Sequence, residues 1–190
     1  MVLRSDLDAA ALDGYLPHMV LRTIITAPDP RLKVVSEPVQ KVTAEIRTLM
    51  DDMLHTMYKA PGIGLAAVQI GVPKRVIVID LGREDAPKGP HFFVNPEIVW
   101  ASDELSLFEE GCLSVPELFD DVERPNSVRV KFLDFDGNKR QETFDGMMAT
   151  CLQHEMDHLQ GILFIDHLSK LKRDIMIKKL IKARKLSAKV

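Results

Sequence analysis

The chain is predicted to adopt an α+β fold, and three observations carry that prediction. Ile46, Leu49, Met50, Met53 and Met57 recur at helical spacing behind Thr43. Val128, Val130 and Phe132 alternate with charged residues and run into Asp136-Gly137, a strong hairpin turn. Around His154 and His158 lies a second helical stretch with apolar flanks. One helix, several antiparallel strands, a central helix and a last basic helix make the α+β pattern.

Taken in order, residues 1–18 lack sustained periodicity and read as an N-terminal extension, with His18-Met19 as a junction or a misplaced start. Residues 19–190 are expected to form one catalytic domain, of which 169–190 is a basic C-terminal helix. Val20 to Thr26 is strand-like, Ala27-Pro28-Asp29-Pro30 is a turn, and Pro38 ends the following loop. Thr43 is the expected cap of a helix reaching Lys59, stopped by Pro61 and Gly62. Its methionine stripe reads as core.

The stretch Gly62-Ile63-Gly64-Leu65-Ala66-Ala67-Val68-Gln69-Ile70-Gly71 has glycines suited to close backbone approach. It lacks the lysine and spacing of a phosphate loop. Gln69 is either a satisfied core amide or a donor aimed at a reacting oxygen. Arg75 to Asp80 reads as a strand, Gly82 to Pro90 as a loop, and His91 to Trp100 as a strand broken at Asn95-Pro96. His91 reads as structural or solvated. After the 127–135 and 139–144 strands, Asp145 is the expected cap of the central helix.

Composition narrows the class. The hydrophobic share is 46% and the charged share 28%, ordinary for a globular protein. No apolar run approaches the ~18 residues of a membrane span. Arg4, Asp6, Asp8 and Asp13 do not make a secretory or organellar leader. Two cysteines, Cys112 and Cys151, fit a reducing cytoplasm. From Ser169 to Val190, nine Lys/Arg face one Asp, leaving about −11 on the rest of a chain of net charge −3. Such a tail reads as a contact for a polyanion such as RNA, or as a solvated helix. Neither membrane nor DNA is an expected partner.

The chemistry centres on Gln153-His154-Glu155-Met156-Asp157-His158. Positions four apart share a helix face, so the two imidazoles can converge on one divalent cation, with Glu155 placed as a base toward a water there. Met147, Met148, Leu152, Leu159, Ile162, Leu163 and Phe164 put this pair among apolar neighbours, where it needs a partner. The downstream thirds used by zinc peptidases are missing. Phe164 stands where a histidine is wanted, no Glu follows Glu155, and Asp166 and His167 have the wrong spacing. Upstream, Cys112 in Glu109-Glu110-Gly111-Cys112-Leu113-Ser114 is either an inert thiol or the missing ligand; Cys151 reads as packing beside the site.

Three separated segments, Gly62 to Gln69, Glu110-Gly111-Cys112-Leu113-Ser114 and Gln153 to His158, resemble in this order the three signature motifs of the bacterial peptide deformylases. The likeness runs from about Val20 to the C-terminal helix. It implies antiparallel sheets surrounding a central metal-binding helix, and removal of the formyl group from the N-terminal methionine of nascent proteins, releasing formate. It implies Cys112, His154 and His158 as metal ligands, Fe²⁺ as the cation in the cell and Zn²⁺, Ni²⁺ or Co²⁺ as substitutes. Glu155 would move the proton, while the Gln69 amide and the Leu113 N–H would face the formyl oxygen. N-formylmethionyl peptides would pair as an added strand with Ile63, Gly64, Glu110 and Gly111. Phe108, Met147, Thr150 and Cys151 would border the methionine pocket, and Arg124 would pair with Glu110. The basic last helix could dock at the ribosome. The competing readings are a zinc peptidase using His167 as third ligand and a non-enzymatic ribosome-binding protein.

Overall fold

The computed structural model describes residues 19–82 and 89–187. The expectations for residues 1–18, for most of the Gly82–Pro90 loop and for the last three residues of the tail lie outside these. The fold is α+β. Helix α1 (Ala44–Lys59) begins at Thr43 and buries Ile46, Leu49, Met50, Met53 and Met57, the stripe expected of it. Seven strands follow: β1 (Gly64–Ala66), β2 (Val76–Ile79), β3 (His91–Ala101), β4 (Leu105–Cys112), β5 (Val115–Pro125), β6 (Ser127–Leu133) and β7 (Lys139–Asp145). Helix α2 (Gly146–His158) and helix α3 (Lys170–Ser187) complete the chain, with single 3-10 turns at Pro30–Lys33, Ala67–Ile70 and Phe164–His167.

Two antiparallel sheets form. The larger has the order β1-β2-β3-β6-β7, and the smaller is the β4–β5 hairpin. Val128, Val130 and Phe132 of β6 point into one core with Phe93, Ala149 and Leu152, so the alternating pattern is that of a sheet with one buried face. Helix α2 lies against that face and contacts strands of both sheets. It is therefore the element around which the sheets are arranged.

Three local expectations are corrected. Val20 to Thr26 is not a strand. This segment is fastened by isolated bonds instead, among them Val20 N to Asp52 Oδ1 (2.7 Å) and Ile25 N to the Gln69 carbonyl (2.7 Å). Asn95-Pro96 does not break β3. The pairing with β6 skips from Val94 to Glu97 as a bulge, because Asn95 adopts φ 54° and its side chain bonds both N and O of Val39. The β4–β5 hairpin was not anticipated as strand at all. Its sequence is acidic, and prolines stand at positions 116 and 125.

Candidate metal centre

Helix α2 presents its polar residues inward because its apolar neighbours bury it. His154, Glu155 and His158 are 7%, 4% and 0% exposed. Cys112 ends β4, where the pairing with β5 shifts register between Gly111 and Cys112. There its Sγ comes to 3.2 Å from His158 Nε2. One donor atom each from Cys112, His154 and His158 lies within 4.8 Å of the others, the one such grouping among the described residues.

The surroundings orient these donors. Glu110 Oε2 sits 2.8 Å from His154 Nδ1. A carboxylate accepts, so Nδ1 carries the proton and Nε2 keeps its lone pair for a cation. Glu110 is itself gripped by Arg124, through Nε to Oε1 (2.5 Å) and Nη2 to Oε2 (3.1 Å). Arg124 Nη1 then donates to Asp157 Oδ2 (2.8 Å), which also takes His167 Nε2 at 2.7 Å. The Arg124–Glu110 pair anticipated in the sequence is thus present. Asp157 was not anticipated as its further partner, although it lies within the helical motif itself.

The electrostatics follow from this chain of contacts. Burial pushes the Glu110 carboxyl up, but the hydrogen bonds from His154 and Arg124 outweigh it and hold the group at about 2. For His154, burial disfavours charge, yet hydrogen bonds to Cys112 and Glu110 raise its pKa well above the ordinary value. Burial and the neighbouring His154 hold His158 well below its ordinary value, so the two rings are not charged together. Burial raises Glu155 to about 7. Its Oε2 is buried and has no hydrogen-bond partner among the described residues, an orphan that a water at the centre would satisfy. Sulfur and two imidazoles, together with this orphan, fit a first-row divalent cation.

The glycine-rich stretch closes one side. A Cβ on Gly64 would stand 2.4 Å from Glu155 Oε1 and 3.0 Å from Cys151 Sγ, so β1 approaches α2 this closely only without a side chain. Gly64→Ala is expected to push the Glu155 carboxylate aside and cut kcat by about 10²-fold with metal content unchanged. Steady-state rates beside elemental analysis check this. Gln69 is buried; its Oε1 accepts from Ala66 N (2.7 Å), and its Nε2 donates to Ser114 Oγ (3.1 Å) and lies 3.5 Å from Cys112 Sγ. It is both a satisfied amide and a neighbour of the centre. Ser114, its partner, was not singled out in the sequence.

Other candidates fall as follows. Leu113 lies in the turn after β4, its side chain against Gly62. Ile63 O is 4.0 Å from Cys151 Sγ, and burial raises that thiol well above its usual pKa. Met147 and Phe108 are half-buried, and Thr150 is buried with an unpartnered hydroxyl. Gly111 packs under the Phe119 ring. His91 stacks on Phe93. His167 is exposed and turned to Asp157, outside the donor cluster, so the third ligand proposed for a peptidase is not with the other two.

The model of the family described as "Polypeptide deformylase" matches residues 21–174. The chain belongs to that family. A curated peptide deformylase from Phenylobacterium zucineum is 61% identical over 167 residues, 88% of this chain and 99% of that one. A crystal structure of a peptide deformylase from Legionella pneumophila superposes with TM-score 0.83 at 46% identity, over 90% of this deformylase-family chain and 99% of its own. A class I type b peptide deformylase from Acinetobacter baumannii, in a Met-Ala-Ser-bound crystal structure, superposes with TM-score 0.74 at 37% identity, covering 80% of this chain and 100% of that one. This chain is accordingly a metal-dependent hydrolase that removes the N-formyl group from nascent peptides. No helix among its described residues is long and apolar enough to cross a membrane.

The deformylase centre rests on a buried ion pair: Arg124 and Glu110 side chains are 6% and 5% exposed. Arg124→Ala leaves Glu110 charged, buried and half-partnered. The expected cost is about 3–5 kcal/mol, a melting-temperature fall of roughly 6–20 °C for a chain of this size. Thermal unfolding checks it.

Proposed function

We propose that Cys112, His154 and His158 hold one divalent cation, and that Glu155 is the proton carrier of deformylation. The observation that carries this reading is the grouping of one sulfur and two ring nitrogens within 4.8 Å, the single such grouping among the described residues. A cation held there supplies Lewis-acid activation of a water and of the formyl oxygen. Glu155, beside the first histidine and with a free buried oxygen, takes a proton from that water as it attacks the formyl carbon and returns it to the departing amine. Negative charge gathers on the formyl oxygen. The Gln69 Nε2 amide and the Leu113 N–H are its donors, each worth about 3–4 kcal/mol of barrier. Gln69 Nε2 donates to Ser114 Oγ and lies 3.5 Å from Cys112 Sγ, which supports a place for the amide beside the centre.

Ile63, Gly64, Glu110 and Gly111 line the peptide, which adds as a strand and so needs no fixed sequence after its first residue. Phe108, Met147, Thr150 and Cys151 bound the methionine pocket. Met147, Thr150 or Cys151, His154 and His158 follow one another at helical spacing, which supports a pocket beside the ligands. The Met-Ala-Ser bound to the Acinetobacter relative begins with methionine, in keeping with this substrate class. Fe²⁺ is the cation in the cell, with Zn²⁺, Ni²⁺ or Co²⁺ as substitutes, and the enzyme works in the cytoplasm on N-formylmethionyl peptides. Helix α3, seated through Met176 and Leu180 with its lysines and arginines outward, is the surface for the ribosome. Residues 19–190 act as one catalytic domain.

The test is formate release from formyl-Met-Ala peptides by protein prepared anaerobically with Fe²⁺. Release is expected, lost on chelation and restored by Fe²⁺. Absence of release with every first-row metal would overturn the assignment.

A further inference from the structure

We propose that Asp52 is a seat for a free α-amino group at Val20, so that this chain folds and works with its amino terminus at residue 20. The Asp52 side chain, on α1, has no solvent exposure. Its Oδ2 takes both Nε and Nη2 of Arg22, at 2.9 and 2.7 Å. Its Oδ1 accepts from the Val20 nitrogen at 2.7 Å. Arg22 N adds a bond to Thr56 Oγ1 at 3.0 Å, so two turns of α1 grip this short segment. Val20 itself is 53% exposed, so the grip is on its nitrogen and a chain end can lie there at the surface.

A main-chain N–H offers that carboxylate one proton and no charge. A terminal ammonium at the same nitrogen offers three protons and a full charge, so the hydrogen bond to the carboxylate becomes an ion pair as well. The local balance has room for it. Asp51 adjoins Asp52 on α1, and burial together with the Asp52 charge pushes its carboxyl up. The extent of the family match points the same way: it opens at residue 21, and the Phenylobacterium relative spends 99% of its length on 167 residues of this chain.

Met19 supplies the route. Translation begun there gives formyl-Met19-Val20, which is itself a substrate for the reaction proposed above. Water adds to the formyl carbon, the C–N bond breaks, formate leaves and the Met19 amine takes the proton. A methionine-removing aminopeptidase then hydrolyses the Met19–Val20 bond with a second water, releasing methionine and leaving the Val20 ammonium. This self-processing rests on the proposed activity; the seat at Asp52 does not.

The experiment expresses the chain from Met19 and follows three readouts: intact mass, formate release, and acylation of the α-amine by a succinimidyl ester. The reference is the free peptide Val-Leu-Arg-Thr-Ile. The expected result is loss of Met19, full formate release, and acylation at least tenfold slower than in the peptide. Asp52→Asn should restore acylation to within twofold of the peptide rate. If that variant fails to fold, the peptide comparison decides by itself. Acylation as fast as in the peptide, retention of Met19, or failure of the chain to fold without residues 1–18 overturns the proposal. A protected Val20 amine on a chain that has lost Met19 but releases no formate from formyl-Met-Ala peptides supports the seat and counts against the catalytic reading instead.

Discussion

Replacing Cys112 by Ala is expected to reduce formate release at least a thousandfold, about 4 kcal/mol of barrier, and to empty the centre of metal. Cys112 is the one donor of the three that carries a full negative charge when it binds a cation, and two neutral imidazoles hold a divalent ion far less well. Its loss also strands what points at the sulfur: Ser114 N at 3.4 Å and Gln69 Nε2 at 3.5 Å. His167→Ala is the control. It sits on Asp157 outside the cluster, so metal content and rate should both stay within about twofold. Elemental analysis of the two variants decides. A Cys112→Ala protein that still holds one metal per chain would sink the ligand assignment and revive the peptidase reading.

Glu155→Gln is expected to lower kcat by about 10²–10⁴-fold while leaving metal content and KM nearly unchanged. The amide keeps the shape of the carboxylate and can still fill the space beside Gly64, but it cannot carry a proton from water to amine. A stability readout separates this from a structural role. The carboxyl is almost fully buried and one of its oxygens has no partner. Removing its charge therefore relieves a burial cost, and the melting temperature should hold or rise. A variant that loses activity and stability together would instead mark Glu155 as a structural group. Unchanged activity would favour the non-enzymatic reading.

Much of the architecture was legible along the chain because its signals are local. The stripe of α1 has a period that one helix face imposes, and the Asp136-Gly137 turn fixes which strands follow it. The H-E-x-x-H spacing places two imidazoles on one face whatever surrounds it. The ordered triple of motifs also pointed to Cys112 and Gln69, and the likeness at Arg124 pointed to its pair with Glu110. Where local signals conflict with distant contacts, the reading failed. Val20–Thr26 has strand-forming residues, but its polar groups are claimed by Asp52, Thr56 and Gln69 instead of by a neighbouring strand. Asn95-Pro96 looks like a break, yet Val39 satisfies the Asn95 side chain and β3 absorbs the fault as a bulge. The β4–β5 hairpin carries too many acids and prolines to announce itself.

The sequence by itself determined the class of fold and the helix that sets His154 and His158 on one face, since these follow from local periodicities, and the ordered likeness of three separated motifs gave the kind of chemistry. Only the tertiary structure decided that Cys112 meets His158, that Glu110, Arg124 and Asp157 form one line behind His154, and that Gly64 makes room for Glu155. These depend on a register shift at the end of β4 and on the packing of α2 against two sheets. Such contacts join positions tens of residues apart, and no local spacing encodes a distance that the whole fold must close.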